Sequence, residues 1–320
     1  MLLLKESRLF ILRKISKREG RPLNWKNLRL VSALRISYNF VTLQKGVLHM
    51  IHPRRILASL LALLLLSGAF LQPTHAAGVN VQVNGVTLSG AQLIGGTTYV
   101  PFKTFCQMMG ASASISGGVG TAKTSYTVKA TAGLTYIVAN GRYFYTGAAS
   151  PVKQVSGTLM VPIRPLARAY GATVSWNAST NTAKVTGNSK IASGSSTYNS
   201  ADLYWLSHII SAEAKGETLA GKIGVGNVIM NRVSNSKFPN TFKGVILQVD
   251  SGVYQFSPVT DGTLYNNPIT ESIIAAELVL DGANTAGGAL YFFNPSKSSA
   301  TWIVRNCTYV TTIGNHAFYR

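Results

Sequence analysis

The chain has 320 residues, 46% of them hydrophobic, which is enough length for two domains and enough apolar material for a core in each. Thirty Lys and Arg against ten Asp and Glu give a formal charge of +20, which favours encounter with polyanions without choosing among them. Two cysteines exclude a small fold stapled by disulfides.

Residues 1–49 hold 11 Lys and Arg and show no apolar period. Residues 50–76 open with Arg54 and Arg55, continue with an apolar run from Ile56 to Leu66, and end at Thr74-His75-Ala76. That order of basic start, apolar core and small-residue exit predicts a secretory signal peptide cleaved after Ala76. The run is short for a bilayer span of about 20 residues, so no stable membrane anchor is expected. A signal normally begins at its own start codon. Met50 is therefore expected to be the true start and residues 1–49 an upstream extension, with a long basic leader as the other reading. Past Ala76, 17 Lys and Arg face eight Asp and Glu, a net charge of +9. Residues 77–200 carry nine of these cations and no acid. Outside a cell the polyanions at hand are anionic wall polymers, anionic lipids and peptidoglycan carboxylates. A secreted location is expected and nucleic acid is not an expected partner; the charge does not choose among these polyanions.

Residues 77–187 contain an internal repeat. Thr98-Tyr99-Val100-Pro101-Phe102-Lys103 matches Leu159-Met160-Val161-Pro162-Ile163-Arg164, and Gly110-Ala111 matches Gly171-Ala172 at the same offset. Each unit reads as a strand, a Val-Pro step, a short amphipathic helix stopped at Gly, and another strand. Leu166, Ala167, Ala169 and Tyr170 supply the second helix; Thr173–Trp176 and Thr182–Thr186 alternate as strands. Asn84-Gly85 and Asn140-Gly141 are hairpin signals. The pattern resembles the copper amine oxidase N-terminal-like repeat of exported Gram-positive proteins. Copper(II) favours imidazole ligands, and residues 77–200 contain no His. They contain no carboxylate for acid–base work either. The module is expected to bind or to space, with attachment to anionic wall polymers as its role and no metal or cofactor. Residues 188–200, rich in Ser, Gly and Asn, read as a flexible linker.

Residues 201–320 hold every acid beyond Ala76: Asp202, Glu213, Glu217, Asp250, Asp261, Glu271, Glu277 and Asp281. A helix is expected from Ala201 to about Lys215, capped by Asn199 or Ser200. At 100° per residue Glu213 falls within about 20° of Leu206, so it lies on the apolar stripe with Leu203, Leu206, Ile209 and Ile210. A carboxyl there must be paired, protonated or beside a cleft. Desolvation would keep it protonated near neutral pH, as a glycosidase acid requires. An edge-of-stripe Glu paired with Lys or Arg is the alternative. Glu217 follows one turn later, with Gly216 between. A second helix is expected over about Leu219 to Val233, its glycines allowing close packing. A third should start at Asn267-Pro268 and end at Asp281-Gly282, with Glu271 and Glu277 solvated.

Ser211-Ala212-Glu213-Ala214-Lys215-Gly216-Glu217, Gly221 and Val228-Ile229-Met230-Asn231-Arg232-Val233 resemble the signature of the cell wall hydrolase family that includes spore-cortex-lytic enzymes. Phe238-Pro239, Gln255-Phe256-Ser257-Pro258, Phe293-Asn294-Pro295, Trp302 and Ile313-Gly314-Asn315-His316-Ala317-Phe318-Tyr319 continue the likeness over residues 202–320. Lys222 departs from it, standing where the family usually has Gln.

The resemblance implies a mainly helical, lysozyme-like domain behind the β-rich strand–helix module, hence an α+β chain of two domains. It also implies lytic transglycosylase activity on the glycan strands of cell wall or spore cortex peptidoglycan, with Glu213 as catalytic acid. A hydrolytic variant needs a second carboxylate, for which Glu217, Asp250 and Asp261 are candidates. Tyr254, Gln255, Ser257, Asn294 and Trp302 are candidates to line the sugar groove; each reads equally well as a core or turn residue. A zinc amidase is a weaker reading, because only His208 and His316 remain past Ala76, on distant segments. A thiol peptidase through Cys307 is weaker still. A non-catalytic wall binder is the alternative of another class.

Overall fold

The structure is a computed structural model that describes residues 78–320. The signal peptide and upstream extension expected for residues 1–76 lie outside the described residues.

Asn80–Val83 (β1) and Val86–Leu88 (β2) form a hairpin. Its turn, Asn84-Gly85, has positive φ at both residues (48° and 86°), the mirror-image turn that suits strand twist. Gln92–Ile94 (β3) and Thr97–Pro101 (β4) lead into the helix Phe102–Met108 (α1). An antiparallel meander follows, of Ser112–Ser116 (β5), Val119–Lys123 (β6), Thr127–Thr131 (β7), Tyr136–Ala139 (β8) and Arg142–Tyr145 (β9). Lys153–Val155 (β10), Thr158–Pro162 (β11), the helix Ile163–Arg168 (α2), Thr173–Asn177 (β12) and Thr182–Thr186 (β13) complete the module.

The sequence repeat becomes a strand pair. β4 and β11 lie antiparallel, with Val100 opposite Val161, and α1 and α2 send Phe102, Phe105 and Leu166 into one shared core. β1 runs parallel to β13, so the first and last strands of the module close the same sheet. Residues 188–200 are not a free tether. The Ser189 amide donates to the Tyr170 carbonyl at 2.9 Å, the Gly194 amide donates to the Asn140 carbonyl at 2.9 Å, and Ile191 is buried. Gly194–Thr197 forms one helical turn (α3). Composition alone misleads here, because the turns at Asn140 and Tyr170 take up part of the segment's backbone groups.

The second half is mainly helical. Ser200–Ala214 (α4) is capped by Asn199, whose side chain accepts from the Ala201 and Asp202 amides. Leu219–Val233 (α5) is capped by Thr218. Phe242–Ile246 (α6), a hairpin of Val249–Asp250 (β14) and Val253–Tyr254 (β15), and Ser257–Asp261 (α7) follow. Thr270–Leu280 (α8) starts two residues past Pro268; the Ser211 hydroxyl of α4 accepts from the Ile269 amide and does the work of a cap. Tyr291–Phe293 (β16), Thr301–Asn306 (α9), Tyr309–Ile313 (β17) and His316–Tyr319 (β18) end the chain, the strands forming a sheet in the order β16-β18-β17. α4, α5 and α8 pack around Leu206, Ile209, Ile210, Ile223, Ile229 and Leu278, each worth about 1.5–3 kcal/mol when buried. Gly226 is one point of close approach. A Cβ there would stand 2.9 Å from both Ile210 of α4 and Val279 of α8, well inside contact distance.

Module and helices meet at Asp281, just past α8. Its carboxylate, 3% exposed, pairs with Arg142 of β9 and accepts from the Tyr198 hydroxyl, while the Arg168 guanidinium donates to its carbonyl at 2.9 Å. Tyr136, Tyr143 and Tyr145 of β8 and β9 pack against the helical core beside it. Glu277, expected to be solvated, is half-covered by this contact. Burial first, then the nearby Asp281 carboxylate, push it up to about 7. Removing one partner of a buried pair strands the other, so Asp281→Ala is expected to destabilise the protein by roughly 3 kcal/mol. Denaturant unfolding checks this; a loss below about 1 kcal/mol would show that the tyrosine packing alone holds the contact.

Candidate active site

Glu213 lies in the last turn of α4 and faces a cavity of about 1090 Å³. One wall is α4 at Ser211, Ala212 and Glu213, and the others come from residues 253–261 and the strand β16. Burial is the main cause that pushes the Glu213 carboxyl up to about 7, and the Asp261 carboxylate in the same cavity adds to it. The C-terminal end of a helix also disfavours negative charge. Among the described residues nothing donates a hydrogen bond to Glu213 or pairs with it. The edge-of-stripe alternative, a Glu paired with Lys or Arg, does not hold.

Glu217 has a different setting, and the structure does not bring it to the cavity. Its two oxygens accept from the Asn315 amide at 3.0 Å and the Asn315 side chain at 2.8 Å. Partial burial works to raise its pKa, but these hydrogen bonds, His316 and Lys222 outweigh it and leave the carboxyl below its ordinary value. Gly314, at φ 59°, lets the β17–β18 turn approach, since a Cβ there would sit 2.0 Å from Glu217 Oε2. Glu217 is thus a clasp between the start of α5 and the last hairpin. Lys222 shares this work. It is 1% exposed, donates to the Glu217 carbonyl and pairs with Glu271 Oε2 at 2.7 Å.

Tyr254, Gln255, Ser257 and Asn294 line the Glu213 cavity. Trp302 does not; it is exposed and sits edge-on to Tyr291, which does. Asp261 lines it as a carboxylate held below its ordinary value by the Thr263 hydroxyl and amide, the amide at 2.9 Å. Asp250 is outside the lining.

Two lining residues were assigned no part in the glycan site from sequence. Arg232, 5% exposed, donates from Nε to the Leu290 carbonyl at 2.7 Å and lies 5.0–5.2 Å from the ring centres of Phe238, Phe256 and Tyr291. Its guanidinium fixes the aromatic walls by cation–π contact, and burial pulls its pKa down to about 10. Its spacing from Val225, Val228 and Ile229 puts it on the apolar stripe of α5, the same signal that singled out Glu213. His316, 7% exposed, abuts Phe292, and burial lowers its pKa. Among the described residues no three His, Cys, Asp or Glu converge on a common point. The His208 ring nitrogen Nδ1 instead meets the Tyr204 carbonyl at 2.8 Å. Cys106 and Cys307 are both free, and burial pushes the Cys106 thiol up to about 12.

The two glutamates predict opposite stability effects. A folded-state pKa raised to about 7 gives Glu213 a contribution that is complete below the unfolded value near 4.5 and lost as pH rises through 7. Glu213→Gln lacks that loss, so from pH 4 to pH 8 its stability relative to wild type should improve by roughly 3 kcal/mol. Glu217, lowered, contributes stability that is present above its unfolded value and lost as pH falls through the folded one. Glu217→Gln should cost about 1–2 kcal/mol at pH 7, from two weakened hydrogen bonds. Urea unfolding of both variants at the two pH values is the measurement.

Comparison with known proteins places these features. Residues 216–319 match the Cell Wall Hydrolase family, a match that starts three residues past Glu213. Residues 82–185 and 138–202 match the Copper amine oxidase N-terminal domain. The spore cortex-lytic enzyme of Bacillus cereus is 33% identical over 121 residues, 38% of this chain and 45% of that protein. That of Bacillus subtilis is 33% identical over 124 residues, 38% of each. The chain therefore spans less than half the length of these relatives. Among solved structures, the catalytic domain of the germination-specific lytic transglycosylase SleB from Bacillus anthracis is 32% identical. It covers 38% of this chain and 97% of that one, with a TM-score of 0.35. The chain thus carries a C-terminal segment that matches the cell wall hydrolase family and, ahead of it, one that matches the copper amine oxidase N-terminal domain.

Proposed function

We propose that the protein is a lytic transglycosylase that cleaves the β-1,4 bond between N-acetylmuramic acid and N-acetylglucosamine in peptidoglycan. The observation that carries this reading is Glu213: a desolvated, unpartnered carboxyl, held up to about 7, in a cavity large enough for sugar rings. At neutral pH a large share of it is protonated, so it can donate its proton to the leaving glycosidic oxygen. As the C1–O bond breaks, the muramic C6 hydroxyl attacks C1 and gives its proton to the Glu213 carboxylate. The products are a 1,6-anhydro end and a free 4-hydroxyl, and Glu213 is reset without a second carboxylate. Tyr254, Gln255, Ser257 and Asn294 are placed to hold the sugars, with Trp302 extending the groove past Tyr291. In this reading the helices α4, α5 and α8 form a lysozyme-like body, and the chain is exported to the wall or the spore cortex, where its basic module meets anionic polymers.

One observation favours a second reading. Asp261 lines the same cavity in its ionised form, as the partner of a general acid would in a hydrolase. Product chemistry separates the two. Wild-type protein digesting purified peptidoglycan should release anhydro-muropeptides, read by mass, and Glu213→Gln should release none. Reducing ends in their place would establish hydrolysis, and free stem peptides an amidase. Because the acid must be protonated, kcat/KM should fall about tenfold per pH unit above 7; a flat profile to pH 9 would remove Glu213 from the acid role.

A further inference from the structure

We propose that the module carries a second glycan site, a cleft that grips a wall sugar chain while the helical domain cuts; this rests on the reading of the protein as a peptidoglycan-cleaving enzyme. The cleft has a volume of about 430 Å³ and shares no residue with the Glu213 cavity. That size lies within the usual range for a small-ligand site. Trp176 of β12 forms one side and is 45% exposed. Among the described residues β12 is an edge strand, paired with β13 alone. The lining also includes the hydroxyl-bearing Thr97, Thr98 and Thr146, and the exposed Arg164, whose Nη1 donates at 3.1 Å to the carbonyl of Val174, on the same strand as Trp176. That bond fixes one nitrogen of the guanidinium and leaves the rest of its fork for a ligand.

An indole left open to water beside hydroxyl groups suits a pyranose, which has an apolar C–H face to stack and hydroxyl edges to bond. The charge fits as well. Residues 77–200 hold nine cations and no acid, and peptidoglycan strands carry stem-peptide carboxylates. A polyphosphate polymer is the competing occupant. It would be served by clustered cations, and among the described residues Arg164 is the one charged side chain in the cleft lining. The platform and hydroxyls therefore favour a sugar.

The test uses purified protein carrying Glu213→Gln, which does not cut, in co-sedimentation with two preparations of peptidoglycan sacculi. One keeps its phosphate polymers and one is stripped of them by acid. The protein should bind both. Adding Trp176→Ala should weaken binding to stripped sacculi on the order of tenfold, with Trp176→Phe between. Unfolding midpoints should not change. In the cutting protein, Trp176→Ala should leave turnover of short soluble glycan fragments unchanged while slowing digestion of whole sacculi. Binding that survives Trp176→Ala, or that disappears when the phosphate polymers are stripped, overturns the proposal, the second in favour of a polyphosphate site. Failure of the activity reading is seen separately, as wild-type protein that binds sacculi and releases no fragments.

Discussion

Glu213 stands at the end of α4 with apolar side chains behind it and, among the described residues, no partner in front, and much of the helical half serves to keep it there. Ionised, the carboxyl loses hydration that nothing in the protein replaces, so the fold favours the acid form. That preference lasts only while water and counter-charges are kept at the same distance. The packing of α4, α5 and α8 supplies this constancy. With no side chain at Gly226, the helices approach closely enough that Ile210 and Val279 meet across it. Ser211, two residues before Glu213, is tied to the start of α8 by its hydrogen bond from the Ile269 amide. Arg232 holds the facing aromatic wall.

Four other acids show the contrast, while Glu277 is also raised to about 7 but lies outside the Glu213 cavity. Glu217, Glu271 and Asp281 each face a donor or a cation fixed by the fold, and Asp261 is held ionised by Thr263. The partners of these carboxylates are supplied within the protein, and Glu213 lacks one. Under the proposed function that partner is the glycosidic oxygen of the substrate. Lys222 belongs to the same logic. A buried ammonium would be costly alone, but Glu271 and the Glu217 carbonyl make it a brace between α5 and α8.

Local features were legible in the sequence where the chain itself determines them. The Asn-Gly hairpins, the helix stop at Gly171, the extents of α4 and α5, and the apolar-stripe position of Glu213 all follow from turn chemistry and periodicity. Contacts between distant segments were not legible. Nothing near Glu277 announces that β8 and β9 will cover it, and Asn315 lies 98 residues from the Glu217 it holds. Residues 188–200 have a linker's composition, yet Asn140 and Tyr170 claim their backbone. Arg232 is the instructive miss. The helical-wheel argument applied to a glutamate on one helix would have found it on the next.

The contact at Asp281 has a mechanical meaning. A module on a slack tether samples many distances from its partner, and any cut within reach of the tether is allowed. Arg142, Tyr198 and Arg168 close on Asp281, and the tyrosines of β8 and β9 lie against the helices, so these contacts tie the module surface to the domain that holds the Glu213 cavity. A wall strand that touches both must bridge the distance between them. Under the proposed function the protein would behave as a caliper: the spacing and direction of strands in the wall would select which bonds come within its jaws.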